Sequence, residues 1–296
     1  MMTAPKTAAP DGATPEHVVP GDMTSDVRAR SATAPAVAAP SIAAPAIAAP
    51  SHAAPNDAAA GVTASGAATP RDLGAATARL LLAAGAVAFS RGHPFILAAG
   101  WASPVYVDCR RLIGDPGARP AITALAVAEL HARFGATPPF DAVAGAETAG
   151  IPWACWLADR LDLPLRYVRK RALGIGQNAQ VEGGPVDGLR VLLVDDLTTD
   201  GGSKVAFVRG LRSAGAAVTD ALCLFYHGTF PGGAERLASL ELRLHALATW
   251  RDVLAVGRDA LSAADHAELQ QFVADPVGWS ATHGGRTTPI EPSLRL

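Results

Sequence analysis

Two adjacent carboxylates, Asp195 and Asp196, stand between an apolar run and a loop rich in hydroxyls and glycines. That loop has the sequence Leu197-Thr198-Thr199-Asp200-Gly201-Gly202-Ser203 and leads into a helical pattern. Paired carboxylates can accept hydrogen bonds from vicinal hydroxyls of a polyol, and two acids after an apolar strand are costly without such a purpose. Glycines let backbone N–H groups approach a phosphate closely, and a helix N-terminus adds positive potential there. The stretch predicts a binding site; an ordinary strand-to-helix turn capped by Asp200 is the alternative.

Short apolar runs alternate with helix-like stretches over most of the chain. Strands are predicted at 141–145, 165–168, 190–194, 219–226 and 240–249, and helices at 73–90, 118–134, 151–161 and 203–214. Continuous apolar strands separated by helices are typical of an α/β fold, a Rossmann-like parallel sheet flanked by helices. Ligands of such sheets lie beyond the carboxyl ends of the strands, which is where the acidic pair Asp195 and Asp196 falls.

The first 70 residues differ in composition from the rest. They contain ten of the 23 prolines, and the first aromatic residue of the chain is Phe89. Proline at that density prevents helices and sheet ladders, so we expect a disordered tail over 1–70 and a folded domain over 71–296. A transit peptide is the alternative, and the acidic residues of the tail argue against it.

The overall composition narrows the class of protein further. A formal net charge of -2 gives no support for nucleic-acid binding. The three cysteines, Cys109, Cys155 and Cys223, are too far apart in sequence to indicate a disulfide framework or a zinc site. No apolar run reaches the roughly 18 residues that span a bilayer. We therefore expect a soluble cytoplasmic protein that binds neither nucleic acid nor membrane.

The acidic pair and its loop resemble the phosphoribosyl-pyrophosphate (PRPP) motif of the type I phosphoribosyltransferases. We name residues 197–203 the phosphate loop. The resemblance implies that Asp195 and Asp196 hold the ribose hydroxyls and that Thr198 to Ser203 cradle the 5-phosphate. PRPP contacts are accordingly expected for Asp195, Asp196, Leu197, Thr198, Thr199, Asp200, Gly201, Gly202 and Ser203. Thr198 replaces an aliphatic residue of the common pattern and Asp200 replaces a hydroxyl residue, so the Asp200 carboxylate must turn away from the phosphate.

Three further segments fit the same family. Residues 146–150 (Ala146, Glu147, Thr148, Ala149, Gly150) resemble its pyrophosphate-binding loop. Residues 95–110 resemble the N-terminal hood of the orotate phosphoribosyltransferases in particular, with matches at Phe95, Leu97, Gly100, Ser103, Pro104, Tyr106, Asp108 and Arg110. A hairpin that only packs over the sheet is the alternative for that segment. The run Tyr167-Val168-Arg169-Lys170-Arg171 enters a Gly/Gln/Asn-rich loop that reaches Gly184 and resembles the family's mobile catalytic loop.

The resemblance also implies a reaction, in which N1 of orotate displaces pyrophosphate from C1 of PRPP and gives orotidine 5′-monophosphate. Catalytic roles fall to Asp195, Asp196, Arg169 and Lys170, and Arg169, Lys170 and Arg171 are expected on PRPP. Thr199, Tyr106 and His227 are expected on orotate. The implied cofactor is Mg²⁺, held mainly by PRPP. A homodimer is implied, with loop 167–184 crossing to the neighbouring subunit, and the domain divides into a hood (71–115), a core (116–250) and a C-terminal helical segment (251–285).

Two departures from the family pattern keep alternatives open. Many relatives carry a lysine and a histidine where this chain has Leu173 and Ile175, and no arginine follows the fourth core strand at 225–230. A phosphoribosyltransferase for another nucleobase is one alternative, which the orotate-type hood disfavours. A catalytically silent PRPP-sensing regulator is the other, which the near-neutral charge and the lack of a helix-turn-helix motif disfavour.

Overall fold

The computed structural model describes residues 69–90, 92–172 and 180–288. The tail at 1–68 and the loop positions Leu173 and Ile175 lie outside the described residues, so the expectations for them stay predictions. Helix α1 (Pro70–Ala83) begins where the proline-rich composition ends. Thr69 caps it in a reciprocal pair, in which the Asp72 amide donates to Thr69 Oγ1 at 3.3 Å and the Thr69 amide donates to Asp72 Oδ2 at 3.1 Å.

Small antiparallel strand pairs follow α1 and form the hood. The strands are β1 (Val87–Phe89), β2 (Phe95–Ile96), β3 (Ala102–Ser103) and β4 (Val105–Val107), with β1 paired to β4 and β2 to β3. The helix predicted over 73–90 was therefore too long. It ends at Ala83 because Gly85 takes a left-handed φ of 61°, and the β-branched and aromatic residues after it form β1.

A 3-10 helix (Cys109–Gly114) leads from the hood to the core elements. In chain order these are α2 (Ala118–Phe134), β5 (Ala142–Ala146), α3 (Gly150–Leu161), β6 (Leu165–Val168), β7 (Val181–Glu182), β8 (Arg190–Thr198), α4 (Gly202–Ser213), β9 (Ala217–Tyr226), α5 (Gly233–Ser239) and β10 (Arg243–Thr249). The predictions for 118–134 and 165–168 match the observed bounds, and the other predicted core elements lie within a few residues of theirs. The elements β7 and α5 were not predicted.

The six core strands form one sheet in the order β10-β9-β8-β5-β6-β7, parallel except at the β6–β7 edge. Side chains of β8 alternate between two hydrophobic clusters. Leu192 and Val194 pack with α1, α2 and α3, whereas Val191 and Leu193 pack with α4 and α5. Helices thus cover both faces, and the predicted α/β class with a flanked parallel sheet is confirmed.

Three helices complete the described chain: α6 (Trp250–Ala260), α7 (Ala263–Ala274) and α8 (Pro276–Thr282). The residues after α8 contact the hood, where the Arg286 amide donates to the Gly100 carbonyl at 2.8 Å. Ser280 Oγ accepts from the Ala102 amide at 3.0 Å. None of the helices within the described ranges is long and apolar enough to cross a bilayer.

Candidate active site

The sheet creates a crevice between β5 and β8. These strands are neighbours, but the chain leaves β5 toward β6 on one side and leaves β8 toward β9 on the other. Ligands of open α/β sheets bind beyond the carboxyl ends of the strands at such a switch point. A cavity of about 390 Å³ lies there, lined by Tyr106, Val107, Asp108, Arg110, Glu147, Thr148, Ala149, Lys170, Asp195, Asp196, Leu197, Ser203 and Phe207.

Strand β8 runs further than its apolar sequence indicates. It was predicted to end at Val194, but it continues to Thr198 because Leu197 and Thr198 pair with Phe225 and Tyr226 of β9. Thr198 is consequently only 2% exposed and its side chain is not among those that line the cavity. The expected contact of Thr198 with PRPP stays a prediction.

The acidic pair occupies the wall of the cavity, as its sequence predicts. Asp195 Oδ2 accepts a hydrogen bond from Lys204 Nζ at 2.6 Å, and Asp195 Oδ1 accepts one from the Asp196 amide at 2.9 Å. Lys204 is completely buried. Sequence reasoning did not assign Lys204 to the site, although the chain has only three lysines and this one directly follows the phosphate loop.

The pKa of Asp196 is raised to about 7. Burial is the main cause, and the neighbouring Asp195 charge adds to it, while Lys204 acts in the opposite direction. An ionised Asp196 is therefore held at an energetic disadvantage in the folded protein. Strongly perturbed carboxyls in a crevice are a feature of functional sites.

The phosphate loop turns through Gly201, whose φ of 75° favours glycine, into the N-terminus of α4. Ser203 lines the cavity, whereas Thr199, Asp200, Gly201 and Gly202 are not among its lining residues. Asp200 pairs instead with buried Arg236 of α5, with 3.0 Å between Oδ2 and Nη1. Its Oδ1 also accepts from the Gly202 amide at 3.0 Å. The Asp200 carboxylate, which replaces a hydroxyl residue of the family pattern, thus turns away from the cavity and is neutralised by Arg236.

The small-residue loop 146–150 brings α3 against the ends of β5 and β8. A Cβ on Gly150 would overlap the Val194 carbonyl oxygen, and a Cβ on Gly145 would lie 2.7 Å from the Ile151 Cα. Only glycine allows this approach, which places Glu147, Thr148 and Ala149 on the cavity. Ala146 and Gly150 are buried behind them. The Glu147–Thr148 peptide bond is cis.

The basic segment at the end of β6 divides into two parts. Lys170 lines the cavity, and its amide donates to Glu147 Oε2 at 2.8 Å. Arg169 does not line the cavity: its Nη2 donates to Glu182 Oε1 and to Tyr167 Oη, each at 3.1 Å. Its expected contact with PRPP stays a prediction. Arg171 is exposed beside residues 173–179, which lie outside the described part.

The hood supplies a third wall. Tyr106 lines the cavity as expected, and its hydroxyl accepts from Arg110 Nη2 at 3.2 Å. Asp108 and Arg110 line it too, and Arg110 Nε donates to Asp108 Oδ1 at 2.6 Å. Both residues belong to the hood motif, so their spacing could have assigned them to the site.

His227 does not face this cavity. It is 4% exposed, and its Nδ1 accepts from Trp250 Nε1 at 3.1 Å. Burial lowers its pKa to about 3, so the ring is neutral at physiological pH. The ring is enclosed by Phe225, Phe230 and Trp250. The expected contact between His227 and orotate stays a prediction.

The parallel sheet and the loops at its switch point define the phosphoribosyltransferase class, and residues 119–232 match the family model "Phosphoribosyl transferase domain". The chain is 46% identical over 213 residues to an orotate phosphoribosyltransferase of Allorhizobium ampelinum, covering 71% of this chain and 92% of that one. It is 47% identical over 210 residues to an orotate phosphoribosyltransferase of Rhizobium rhizogenes, covering 70% of this chain and 90% of that one. The chain therefore belongs to the orotate phosphoribosyltransferase family.

Solved structures agree with this assignment. An orotate phosphoribosyltransferase of Aeropyrum pernix is 39% identical with a TM-score of 0.52, covering 60% of this chain and 96% of that chain. A UMP synthase of Leishmania donovani is 26% identical with a TM-score of 0.59, covering 69% of this chain and 43% of that chain. The family predicted from the hood and the phosphate loop is confirmed.

Proposed function

We propose that this protein transfers the ribosyl 5-phosphate group of PRPP to orotate, giving orotidine 5′-monophosphate and pyrophosphate. One observation carries the proposal: the acidic pair, the small-residue loop, Lys170 and hood residue Tyr106 line a single cavity. The curated relatives that are 46–47% identical to this chain over the aligned residues are named orotate phosphoribosyltransferases.

Each wall of the cavity has a role in binding PRPP. The acidic pair accepts hydrogen bonds from the ribose hydroxyls, and Ser203 with the N-terminus of α4 receives the 5-phosphate. Residues of the small-residue loop and the Lys170 ammonium bind the pyrophosphate. The transition state separates charge with little covalent chemistry for side chains, so positioning and electrostatic stabilisation provide the rate. Carboxylates beside the ribose offset the positive charge that develops at C1.

The site suits Mg²⁺ held by the substrate. Among the described residues no group of three or more His, Cys, Asp or Glu side chains forms a metal cage. Mg²⁺ keeps waters and substrate phosphate oxygens as ligands in such sites, so PRPP would carry it in, facing the acidic side of the cavity. When bound, the ion supplies charge neutralisation to the leaving pyrophosphate.

The proposal includes a homodimer in which loop 167–184 reaches the neighbouring subunit. Lys170 belongs to the cavity of its own chain, whereas exposed Arg171 stands where the chain enters residues 173–179. Arg171 is the cation we assign to the partner's cavity. A cytoplasmic location, the expected PRPP contacts of residues 199–202 and the expected orotate contact of Thr199 stay predictions.

Turnover distinguishes this enzyme from a silent PRPP-binding regulator. With PRPP, orotate and Mg²⁺, we expect one pyrophosphate released for each orotidine 5′-monophosphate formed, measured by phosphate-coupled assay and by ultraviolet absorbance. Binding of PRPP by calorimetry without any product would contradict the proposed function.

Arg110 is the cation we assign to the orotate carboxylate, because it is the arginine among the described cavity-lining residues. Arg110→Leu should raise KM for orotate roughly ten- to hundredfold through loss of one charge-assisted contact worth about 1.5–3 kcal/mol, with KM for PRPP changed less. Arg111→Leu is the matched control, since Arg111 Nε donates to the Ala84 carbonyl at 3.2 Å, away from the cavity. Equal KM values for orotate in the two variants would refute the assignment.

A further inference from the structure

The chain after α8 binds the hood at one turn. Residues 280–286 form a C-terminal clasp on residues 97–102, which we name the hood turn. The Arg286 amide donates to the Gly100 carbonyl at 2.8 Å, and Arg286 Nε donates to the Ala99 carbonyl at 2.9 Å. Both contacts are to the backbone, so the clasp acts on the course of the hood turn rather than on one of its side chains.

Ser280 and Gly285 bring the clasp close to the hood turn. Ser280 is completely buried, and its Oγ accepts from the Ala102 amide at 3.0 Å and donates to the Arg286 carbonyl at 2.8 Å. A Cβ on Gly285 would overlap the amide nitrogen and the Cβ of Ala102. Only glycine allows this approach, so a larger residue at position 285 would separate the clasp from the hood turn.

The hood turn gains little stability from its own strands. It connects β2 to β3, which share only two residue pairs, and an isolated two-stranded pair is at best marginally stable in water. Trp101 of the turn stacks on Phe230 with 4.8 Å between the ring centres, which fixes one side of the turn to the loop after β9. The clasp supplies the hydrogen-bond partners for its backbone.

The hood turn is connected directly to the part of the hood that lines the cavity. Ser103, which follows the turn, donates from Oγ to the Val105 carbonyl at 2.7 Å and accepts from the Val105 amide at 3.2 Å. Tyr106 comes next and lines the cavity. The Tyr106 ring lies 5.6 Å from the ring of Phe95, the β2 partner of Ser103. A shift of the hood turn therefore displaces Tyr106.

We propose that Ser280, Gly285 and Arg286 are positioning residues, which hold the hood turn so that Tyr106 and Arg110 are set for orotate before it binds. The inference rests on the proposed function, which makes orotate the ligand. The clasp residues, all of which the structure describes, are not among those that line the cavity. They act through the hood, where Tyr106 Oη accepts from Arg110 Nη2 at 3.2 Å, so that these two side chains move together.

This role has a distinct kinetic consequence. A hood that takes the binding arrangement only part of the time binds orotate more weakly by that fraction. Once orotate is bound the arrangement is complete, and the chemical step proceeds at the normal rate. Loss of the clasp therefore raises KM for orotate and leaves kcat and PRPP affinity unchanged, whereas general damage to the fold lowers all three functions together.

The test combines steady-state kinetics at saturating PRPP and Mg²⁺ with calorimetry of PRPP binding. Gly285→Val places a branched side chain against Ala102 and separates the clasp from the hood turn. We expect KM for orotate to rise roughly tenfold, with kcat at saturating orotate and the Kd of PRPP within about twofold of wild type. Arg286→Ala removes one side-chain hydrogen bond and should raise KM for orotate roughly threefold.

Thr282→Val is the matched control. Thr282 is exposed, and its Oγ1 donates within α8 to the Gly278 carbonyl at 3.0 Å, so KM for orotate should stay at the wild-type value. Hydrogen exchange measured by mass spectrometry gives a second readout that needs no substrate. Residues 95–107 should exchange faster in Gly285→Val than in wild type, and strand β8 should exchange at the same rate in both.

Each outcome decides between this inference, a general structural role and the proposed function. Unchanged KM for orotate or unchanged exchange of residues 95–107 in folded Gly285→Val would overturn the inference. So would a parallel loss of kcat and PRPP affinity. If Gly285→Val does not fold, Arg286→Ala decides by the same criteria. Wild-type protein without turnover would overturn the proposed function, while the exchange measurement would still decide whether the clasp holds the hood.

Discussion

Asp196→Asn should lower kcat/KM at least about a hundredfold and at the same time raise the melting temperature. The lost carboxylate accepts the ribose hydroxyls and offsets charge at C1, and removing such charge-assisted contacts costs about 3 kcal/mol or more, roughly a hundredfold or more in kcat/KM. Stability changes in the opposite direction because burial and Asp195 raise the pKa of Asp196 to about 7. Asparagine keeps the shape of the side chain and never has to ionise.

The size of the stability effect of Asp196→Asn depends on pH. Between the unfolded value of 3.8 and about 7, the folded protein binds a proton at Asp196 that the unfolded chain does not. Stability therefore falls as pH rises through this window and stays low above it. We expect the gain in melting temperature from Asp196→Asn to be larger at about pH 8 than at about pH 5.

A matched control separates the effects of Asp196→Asn on turnover and melting temperature from those of a general change in net charge. Asp259→Asn alters an exposed carboxylate on α6 outside the cavity, and neither turnover nor melting temperature should change appreciably. A fall in melting temperature for Asp196→Asn near pH 8, or retained wild-type turnover, would contradict the assignment.

Lys170→Ala should lower turnover roughly ten- to hundredfold, because pyrophosphate leaves with several negative charges and one charge-assisted contact is worth about 1.5–3 kcal/mol. Lys170 lines the cavity, whereas Arg169 is engaged by Glu182 and Tyr167. Arg169→Ala is the comparison variant and should have the smaller effect on kcat. The reverse order in steady-state kinetics would show that the basic segment rearranges when PRPP binds.

Subunit mixing tests which chain supplies each cation. Lys170→Ala mixed with Asp196→Asn should not regain activity, because both side chains belong to one cavity and every site in a mixed dimer keeps a defect. Arg171→Ala mixed with Asp196→Asn should regain activity, because a crossing loop leaves the mixed dimer one intact site. Recovered activity in the Lys170→Ala mixture would contradict the proposed loop arrangement. So would a lack of recovered activity in a verified mixed dimer of Arg171→Ala and Asp196→Asn.

Features set by short stretches of chain could be predicted from the sequence. The helix at 118–134 and the strand at 165–168 have the observed bounds because their apolar periodicity is local. The acidic pair reaches the cavity because it lies near the carboxyl end of a parallel strand, and Tyr106 reaches it through the spacing of the hood motif. Residues 146–150 form their turn because glycine is required at the point where α3 meets β8.

Features set by partners far along the chain could not be predicted in this way. Strand β8 continues to Thr198 only because β9 lies beside it. Asp200 forms an ion pair with Arg236, which lies 36 residues away in the sequence. Arg169 forms one with Glu182 across the β6–β7 pair. His227 looked available for a ligand, but Trp250 and neighbouring aromatic rings enclose it. Lys204 was visible next to the phosphate loop, yet its burial against Asp195 depends on how α4 packs on the sheet.

Transfer of a phosphoribosyl group to orotate is best tested against uracil, because uracil lacks only the carboxylate at C6 of orotate. The decisive measurement is kcat/KM for orotate and for uracil with saturating PRPP and Mg²⁺. We predict a preference for orotate of at least about a hundredfold, since a site built around a charged contact loses that contact with uracil. Comparable values for the two bases, or turnover of uracil alone, would contradict the claim.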